Sequence, residues 1–275
     1  MARYLKPTSD LVFKRIFGEH EKIVKSFLNA ILPLKNDEKI VSLSYLPTEQ
    51  IPVLHEFKRP IVDVKCIDEK KRVFIVEMQM AWATDFMQRM LFNTSTAYVK
   101  QLPRGQDYHL LQPVYGVALL GDNFENSSAW YHHYKMVNVQ DTNQTIEGLQ
   151  MVFIELQKFQ SKKLAERTLQ NLWLRFLSEL DEHTVDVPSD MLSVTEIQEA
   201  VTLAQESAYT QGELDWYEKY WDSVSSEKTL MRSKFDEGKA EAERTIIQSM
   251  LKKGMAPEAI ADMTGLSIEA IRALG

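Results

Sequence analysis

The stretch that most restricts this chain is IVDVKCIDEKKRVFIVEMQM, residues 61–80. Two apolar runs flank a charged turn, Asp68-Glu69-Lys70-Lys71, and this pattern predicts a β-hairpin. The runs nevertheless carry polar groups: Asp63 among Ile61, Val62 and Val64, and Glu77 and Gln79 between Val73 and Met80. Side chains alternate along a strand, so Glu77 and Gln79 share one face and Asp63 shares a face with Lys65. Pairing of the two strands lets all three polar groups converge at one end of a sheet. Carboxylates buried in an apolar sheet without partners are strongly penalised by lost hydration.

Two arrangements relieve that penalty. A divalent cation such as Mg²⁺ or Mn²⁺ takes carboxylate, carbonyl and water oxygens, with Asp63, Glu77 and the backbone carbonyl of Met78 as natural ligands. A metal held there activates water and stabilises charge on a phosphodiester. Alternatively the acids are structural, Asp63 pairing with Arg59 or Lys65 and Glu77 with Arg72. Spacing alone leaves both open.

The rest of the chain frames the hairpin. The segment TSDLVFKRIFGEHEKIVKSFLNAIL opens with a Ser/Asp capping signal and has helical periodicity, with Gly18 expected to break it into two helices. IVSLSYLP reads as a strand, and the prolines of IPVLHEFKRP mark connecting or edge structure. DFMQRMLFNTSTAYVKQL predicts a helix stopped by Pro103. QPVYGVALLGDNF is a continuous apolar run, the pattern of a strand covered on both faces. YHHYKMVNVQ and MVFIELQKF are further strand candidates. Helices are expected over 163–181, 190–207 and 227–253, with a polar aromatic stretch around residues 213–228. The class is therefore α/β or α+β with a helical C-terminal part.

Charge is unevenly spread. Residues 1–105 hold 17 Lys and Arg against 12 Asp and Glu, whereas residues 106–275 hold 15 against 27. A basic portion suits a phosphate backbone while an acidic remainder keeps the chain soluble. The single cysteine, Cys66, excludes an internal disulfide framework and fits a reducing compartment. No apolar run approaches the roughly 20 residues that span a bilayer, and the N-terminus lacks a signal-peptide core. The expectation is a cytoplasmic protein without membrane partners.

The order of elements, with an Asp-bearing strand, a turn, a Glu-x-Gln strand, a helix and another strand, resembles the PD-(D/E)XK nuclease core. More closely, the chain resembles the Rpn family of bacterial recombination-promoting nucleases and transposases. The residues carrying the resemblance are SDLVFKRIFG at 9–18, DVKCIDEKKRVFIVEMQM at 63–80 and MQRMLFNTSTAYVKQL at 87–102. LDWYEKYWDS at 214–223 and KKGMAPEAIADMTGLSIEAIRAL at 252–274 match as well. The resemblance implies an α/β restriction-endonuclease-like core, a mixed sheet flanked by helices, with a helical C-terminal extension. It also implies a Mg²⁺- or Mn²⁺-dependent DNA endonuclease with Asp63 and Glu77 as metal ligands and catalytic residues.

Gln79, the third catalytic candidate, stands where the wider superfamily usually has lysine. A neutral amide positions groups but does not supply lysine's charge, so slow or tightly regulated cleavage is expected. The family pattern keeps an acid at Asp10, which makes it a candidate fourth ligand. The other reading of Asp10 is a first-turn acid favoured by the helix dipole. Lys14, inside the family motif, is a candidate phosphate contact. Arg89 suits bidentate phosphate binding and Tyr98 suits stacking or a phosphate hydrogen bond. A surface arginine and a core tyrosine are the other readings of these two.

Other features carry less. His132 and His133 are adjacent, and adjacent strand residues face opposite ways, which argues against chelation. Cys66 has no evident partner for nucleophilic work, and no Gly-rich phosphate loop is present. Tyr209, Trp216, Tyr217, Tyr220 and Trp221 form an aromatic cluster whose acidic neighbours favour packing over base stacking. Ala261, Gly265 and Ile271 have helix-turn-helix spacing, yet Glu258, Asp262 and Glu269 against Arg272 favour protein contact over DNA reading.

The organisation expected is a nuclease domain at 1–208, a helical linker or oligomerisation segment at 209–253 and a helical hairpin at 254–275. A homodimer is expected, with regulatory contact through the C-terminal helices. The competing function is a catalytically weak, transposon-derived protein that binds DNA or other proteins.

Overall fold

The computed structural model describes residues 3–49, 61–81, 83–160 and 168–274. The proline-bearing segment at 51–60, with Arg59, and the start of the helix expected from 163 lie outside the described residues. The chain divides into two compact units, residues 1–221 and 222–275.

The first unit opens with α1 (Asp10–Glu19) and α2 (Glu21–Ile31). Ser9 caps α1, its hydroxyl oxygen accepting from the Val12 N–H at 3.4 Å. The break between the helices falls at His20, which takes φ −123° and ψ 92°, and not at Gly18, which stays helical. Both helices turn an apolar stripe inward, burying Val12, Phe13, Ile16 and Phe17 from α1 and Ile23, Val24, Phe27 and Leu28 from α2.

Six strands follow, β1 (Leu43–Tyr45), β2 (Val64–Asp68), β3 (Val73–Gln79), β4 (Val114–Leu120), β5 (Tyr131–Asn138) and β6 (Asp141–Glu155). They form one mixed sheet in the order β1-β2-β3-β4-β6-β5. The β1–β2, β2–β3 and β5–β6 pairs are antiparallel, and the β3–β4 and β4–β6 pairs are parallel. The first strand is shorter than the apolar run at 40–47 predicts. The last is longer, because its exposed polar half from Asp141 pairs with β5 without any apolar signal.

Alternation along β3 divides the core in two. Phe74 and Val76 join the larger core, with Cys66 of β2, α1, α2, α4 (Leu169–Glu179) and α5 (Thr195–Leu203). Val73 and Ile75 face the other way, onto Phe86, Met90 and Ala97 of α3 (Phe86–Val99). β4 is buried along its whole length, as its unbroken apolar run predicts. Gly116 lets α3 come close to the sheet. A Cβ there would stand 2.8 Å from Thr94 Cγ2 and 2.9 Å from Met90 Cε.

A single helix, α6 (Gln211–Lys252), lies within the helical segment expected at 209–253 and runs unbroken through the polar aromatic stretch. No proline interrupts residues 211–256, and the polar aromatic stretch has ordinary helix formers between its rings. In the first unit Tyr209 and Tyr217 are core residues, and the Tyr217 hydroxyl accepts from the Lys6 backbone N–H at 3.0 Å. The second unit contains α7 (Pro257–Thr264) and α8 (Ile268–Arg272), joined at Gly265 in the left-handed conformation, φ 74°. Its small core gathers Ile247, Ile260 and Ile271. No described helix is long and apolar enough to cross a membrane.

Candidate active site

The β2–β3 register pairs Val64 with Val76, so one step further along Asp63 lies opposite Glu77. Directly opposed residues share a face of the sheet. Glu77 follows Val73 and Ile75 on the α3 side, where it is buried. The turn between the strands closes at the far end, where Arg72 donates to Asp68 Oδ2 at 2.7 Å and to the Glu38 carbonyl at 2.7 Å. The pairing of Glu77 with Arg72 considered from sequence is therefore not made. Arg72 sits at the opposite end of β3 and is used there.

Each acid has few donors. Asp63 accepts from the Met78 N–H through Oδ2 at 2.8 Å, which ties the chain before β2 to the end of β3. Its Oδ1 lies 3.8 Å from Lys14 Nζ, a cation from α1 instead of Lys65. Glu77 Oε1 accepts from Asn93 Nδ2 of α3 at 3.1 Å. Burial raises the Asp63 carboxyl above the usual range, opposed by the Met78 N–H and by Lys14. Burial, and then the Asp63 charge, push Glu77 up to about 8 against the influence of Arg89, Asn93 and Lys14. A buried acid facing a largely buried one, with few donors between them, is costly as it stands.

The other candidates fall into two groups. Asp10 Oδ1 is 2.7 Å from Lys14 Nζ, one helical turn away, and its charge reaches Asp63. Burial acts to lower the Lys14 ammonium, but its bond to Asp10 and the charges of Asp10, Asp63 and Glu77 outweigh it and hold it above the ordinary value. Arg89 lies exposed on the first turn of α3, its guanidinium 5.2 Å from the Phe86 ring centre, and it favours ionisation of both acids. Met78 and Gln79 close the strand, and Gln79 Nε2 donates to the Ala81 carbonyl at 2.7 Å. Tyr98 is not brought to this cluster. A Cβ built at Gly148 would stand 3.3 Å from its hydroxyl, and the next residue, Leu149, is level through Val114 with Val73 at the far end of β3. Tyr98 thus packs roughly four residues, or about 13 Å, from the level of Glu77.

Asn93 was not foreseen. Its signal is an amide inside the buried stripe of α3, where Phe86, Met90, Asn93 and Ala97 recur at helical spacing. Elsewhere, His132 and His133 turn to opposite faces, bonding Glu155 Oε1 at 2.8 Å and Gln150 Oε1 at 2.9 Å respectively. Cys66 is buried and its thiol is pushed up to about 12 by burial, so it supplies no thiolate at neutral pH.

Oxygen donors on two adjacent carboxylates fit a hard divalent cation, which accepts one or two carboxylates with carbonyl, phosphate and water oxygens. Such a charge would also relieve the repulsion that raises Glu77. Among the described residues no group of three or more His, Cys, Asp or Glu side chains gathers to hold a metal, and Asp10 is engaged by Lys14.

Comparison with known proteins agrees with the topology of the sheet. The family model for PD-(D/E)XK nuclease family transposases matches residues 7–233, which includes Asp10, Lys14 and the whole acid-bearing hairpin. No curated protein and no solved structure matches. With its mixed six-stranded sheet and flanking helices, the chain belongs to the PD-(D/E)XK nuclease family transposases.

Proposed function

We propose that the protein is a divalent-metal-dependent DNA endonuclease, using Mg²⁺ or Mn²⁺, that serves recombination or defence against foreign DNA. The observation that carries this reading is the opposition of Asp63 and Glu77 on one sheet face, both raised by burial. Asp63, Glu77 and the Met78 carbonyl would hold the cation, which when bound would supply charge to activate water and to offset charge on the phosphodiester. Hydrolysis adds water across one P–O ester bond: the water oxygen bonds phosphorus, its proton leaves to solvent, and the departing oxygen takes up a proton. The chain's own part is placement. The Met78 N–H fixes Asp63, Asn93 fixes Glu77, and Arg89 offers an exposed guanidinium on the first turn of α3 for a phosphate.

A second reading has one observation in its favour. The Gln79 amide is engaged with the Ala81 carbonyl, so the superfamily's lysine position contributes no charge. That supports a catalytically weak DNA-binding protein. The second unit fits protein contact better than DNA, because Arg272 is occupied by Glu258 at 3.0 Å amid acidic neighbours. We take it as the part that assembles a homodimer and restrains cleavage. Exposed Leu230, Phe235 and Ile246 on the long helix suit such assembly.

Plasmid DNA incubated with the protein and Mg²⁺ or Mn²⁺ tests the proposal. Cleavage by the wild type should vanish in Asp63→Ala and Glu77→Ala variants that keep the native circular dichroism. Equal cleavage in all three would place the activity elsewhere.

A further inference from the structure

A cation paired with Asp63 comes from outside the hairpin. Lys14 Nζ stands 2.7 Å from Asp10 Oδ1 and 3.8 Å from Asp63 Oδ1, and it feels the charge of Glu77. Asp10 and Lys14 are four residues apart on α1, so the helix itself sets their meeting. β3 ends without a cation of its own, since Gln79 carries an amide that is donated to the Ala81 carbonyl.

We propose that Lys14 is the catalytic cation of this site, contacting the scissile phosphate from α1, and that Asp10 is its positioning residue and not a metal ligand. The inference rests on the nuclease reading above. Depth supports the division of labour. The Asp63 side chain is 18% exposed and that of Glu77 lies deeper, whereas Lys14 is 47% and Asp10 36% exposed. The acids therefore form the floor and the ammonium stands at the mouth, where a phosphodiester arrives. An ammonium has three donors; Asp10 at 2.7 Å is within hydrogen-bond reach, whereas Asp63 at 3.8 Å attracts only as an ion pair, which leaves donors for a phosphate oxygen. Were Asp63 to hold a metal, Asp10 would still keep Nζ in place. A fixed cation aimed at developing phosphorane charge acts without reorganising at the moment of reaction.

The two roles leave different signatures, read on the full chain by Mn²⁺ titration calorimetry, DNA affinity and single-turnover plasmid cleavage. Lys14→Ala should bind Mn²⁺ as tightly as wild type or more so, since a competing cation is gone. It should cleave about 100-fold more slowly, and Lys14→Arg should recover part of the rate. Asp10→Asn should keep its Mn²⁺ affinity within about threefold and cleave about tenfold more slowly. The double variant should be no slower than Lys14→Ala, because Asp10 acts through Lys14. A tenfold or greater loss of Mn²⁺ affinity in Asp10→Asn makes Asp10 a ligand and overturns the assignment, as does wild-type cleavage by Lys14→Ala. Wild-type protein that binds Mn²⁺ and DNA yet leaves the plasmid intact fails the nuclease reading. Lys14 is then judged by DNA affinity alone, and an unchanged affinity in Lys14→Ala overturns its phosphate contact as well.

Discussion

Asn93 of α3 donates its side-chain amide to Glu77 Oε1 at 3.1 Å, so the helix after the hairpin holds the second acid of the pair. Both residues are buried, and the bond crosses from α3 to the sheet at the level where catalysis is proposed. Replacing Asn93 with leucine leaves a buried carboxyl without that donor, a change worth about 1–3 kcal/mol of stability. It also frees the orientation of a proposed ligand, and second-shell losses of this kind lower metal affinity about 10- to 100-fold. Denaturant melts and Mn²⁺ calorimetry of Asn93→Leu should show both effects. Mn²⁺ affinity equal to wild type would mean that Glu77 needs no such support.

The closest approach of α3 to β4 is made at a glycine. At Gly116 the Cγ2 of Thr94 occupies the place of a Cβ, and Thr94 is buried and β-branched, with little freedom to move aside. Gly116→Ala should therefore lift α3, costing about 1–3 kcal/mol through overpacking. Because Asn93 rides on the same helix, cleavage should fall further than the stability loss explains. A variant with native stability would show that α3 slides without strain.

Much of this arrangement could be read from the residues, and what could not has a physical reason. Alternation through Val73 to Gln79 placed Glu77 on a definite face, and the buried run Val114–Leu120 announced a central strand. Register was not readable, since the turn at Asp68–Lys71 fixes it through Lys71 in the left-handed region, φ 65°, and through Asp68 accepting from the Lys70 and Arg72 N–H groups. The far half of β6 escaped because its side chains face solvent and carry no apolar period. Tyr98 shares α3 with Arg89, but the helix alone does not set what it packs against. Its depth against Gly148 comes from the sheet beneath, which sequence spacing does not contain.

Acidity makes metal binding depend on pH with a definite sign. The Glu77 carboxyl is pushed up to about 8 and that of Asp63 is raised, both chiefly by burial. A group whose folded pKa exceeds its unfolded value, about 4.3 for glutamate, stabilises the fold fully below the unfolded value. That stability is lost as pH rises through the folded pKa, so the metal-free protein should weaken between about pH 5 and pH 8. Divalent cations need both carboxylates ionised, so their binding releases protons and tightens over the same window. Calorimetry at pH 6, 7 and 8 should give a Mn²⁺ Kd that falls by up to about tenfold per pH unit for each proton released. A Kd independent of pH would count against Glu77 as a ligand.

Assembly of the chain is open to a simple measurement. Leu230, Phe235 and Ile246 are exposed on α6, an apolar set that a lone helix gains nothing by presenting to water. If these side chains meet a second copy, wild-type protein at micromolar concentration should sediment as a dimer. Leu230→Glu with Phe235→Glu should then sediment as a monomer, because charges placed in an apolar contact are costly to bury. Both residues belong to the second unit, residues 222–275, so the thermal transition of the nuclease core should remain where it was. Cuts in both strands of one duplex would become single-strand nicks in the monomeric variant. A wild type that sediments as a monodisperse monomer would remove the dimer and, with it, the paired-cut expectation.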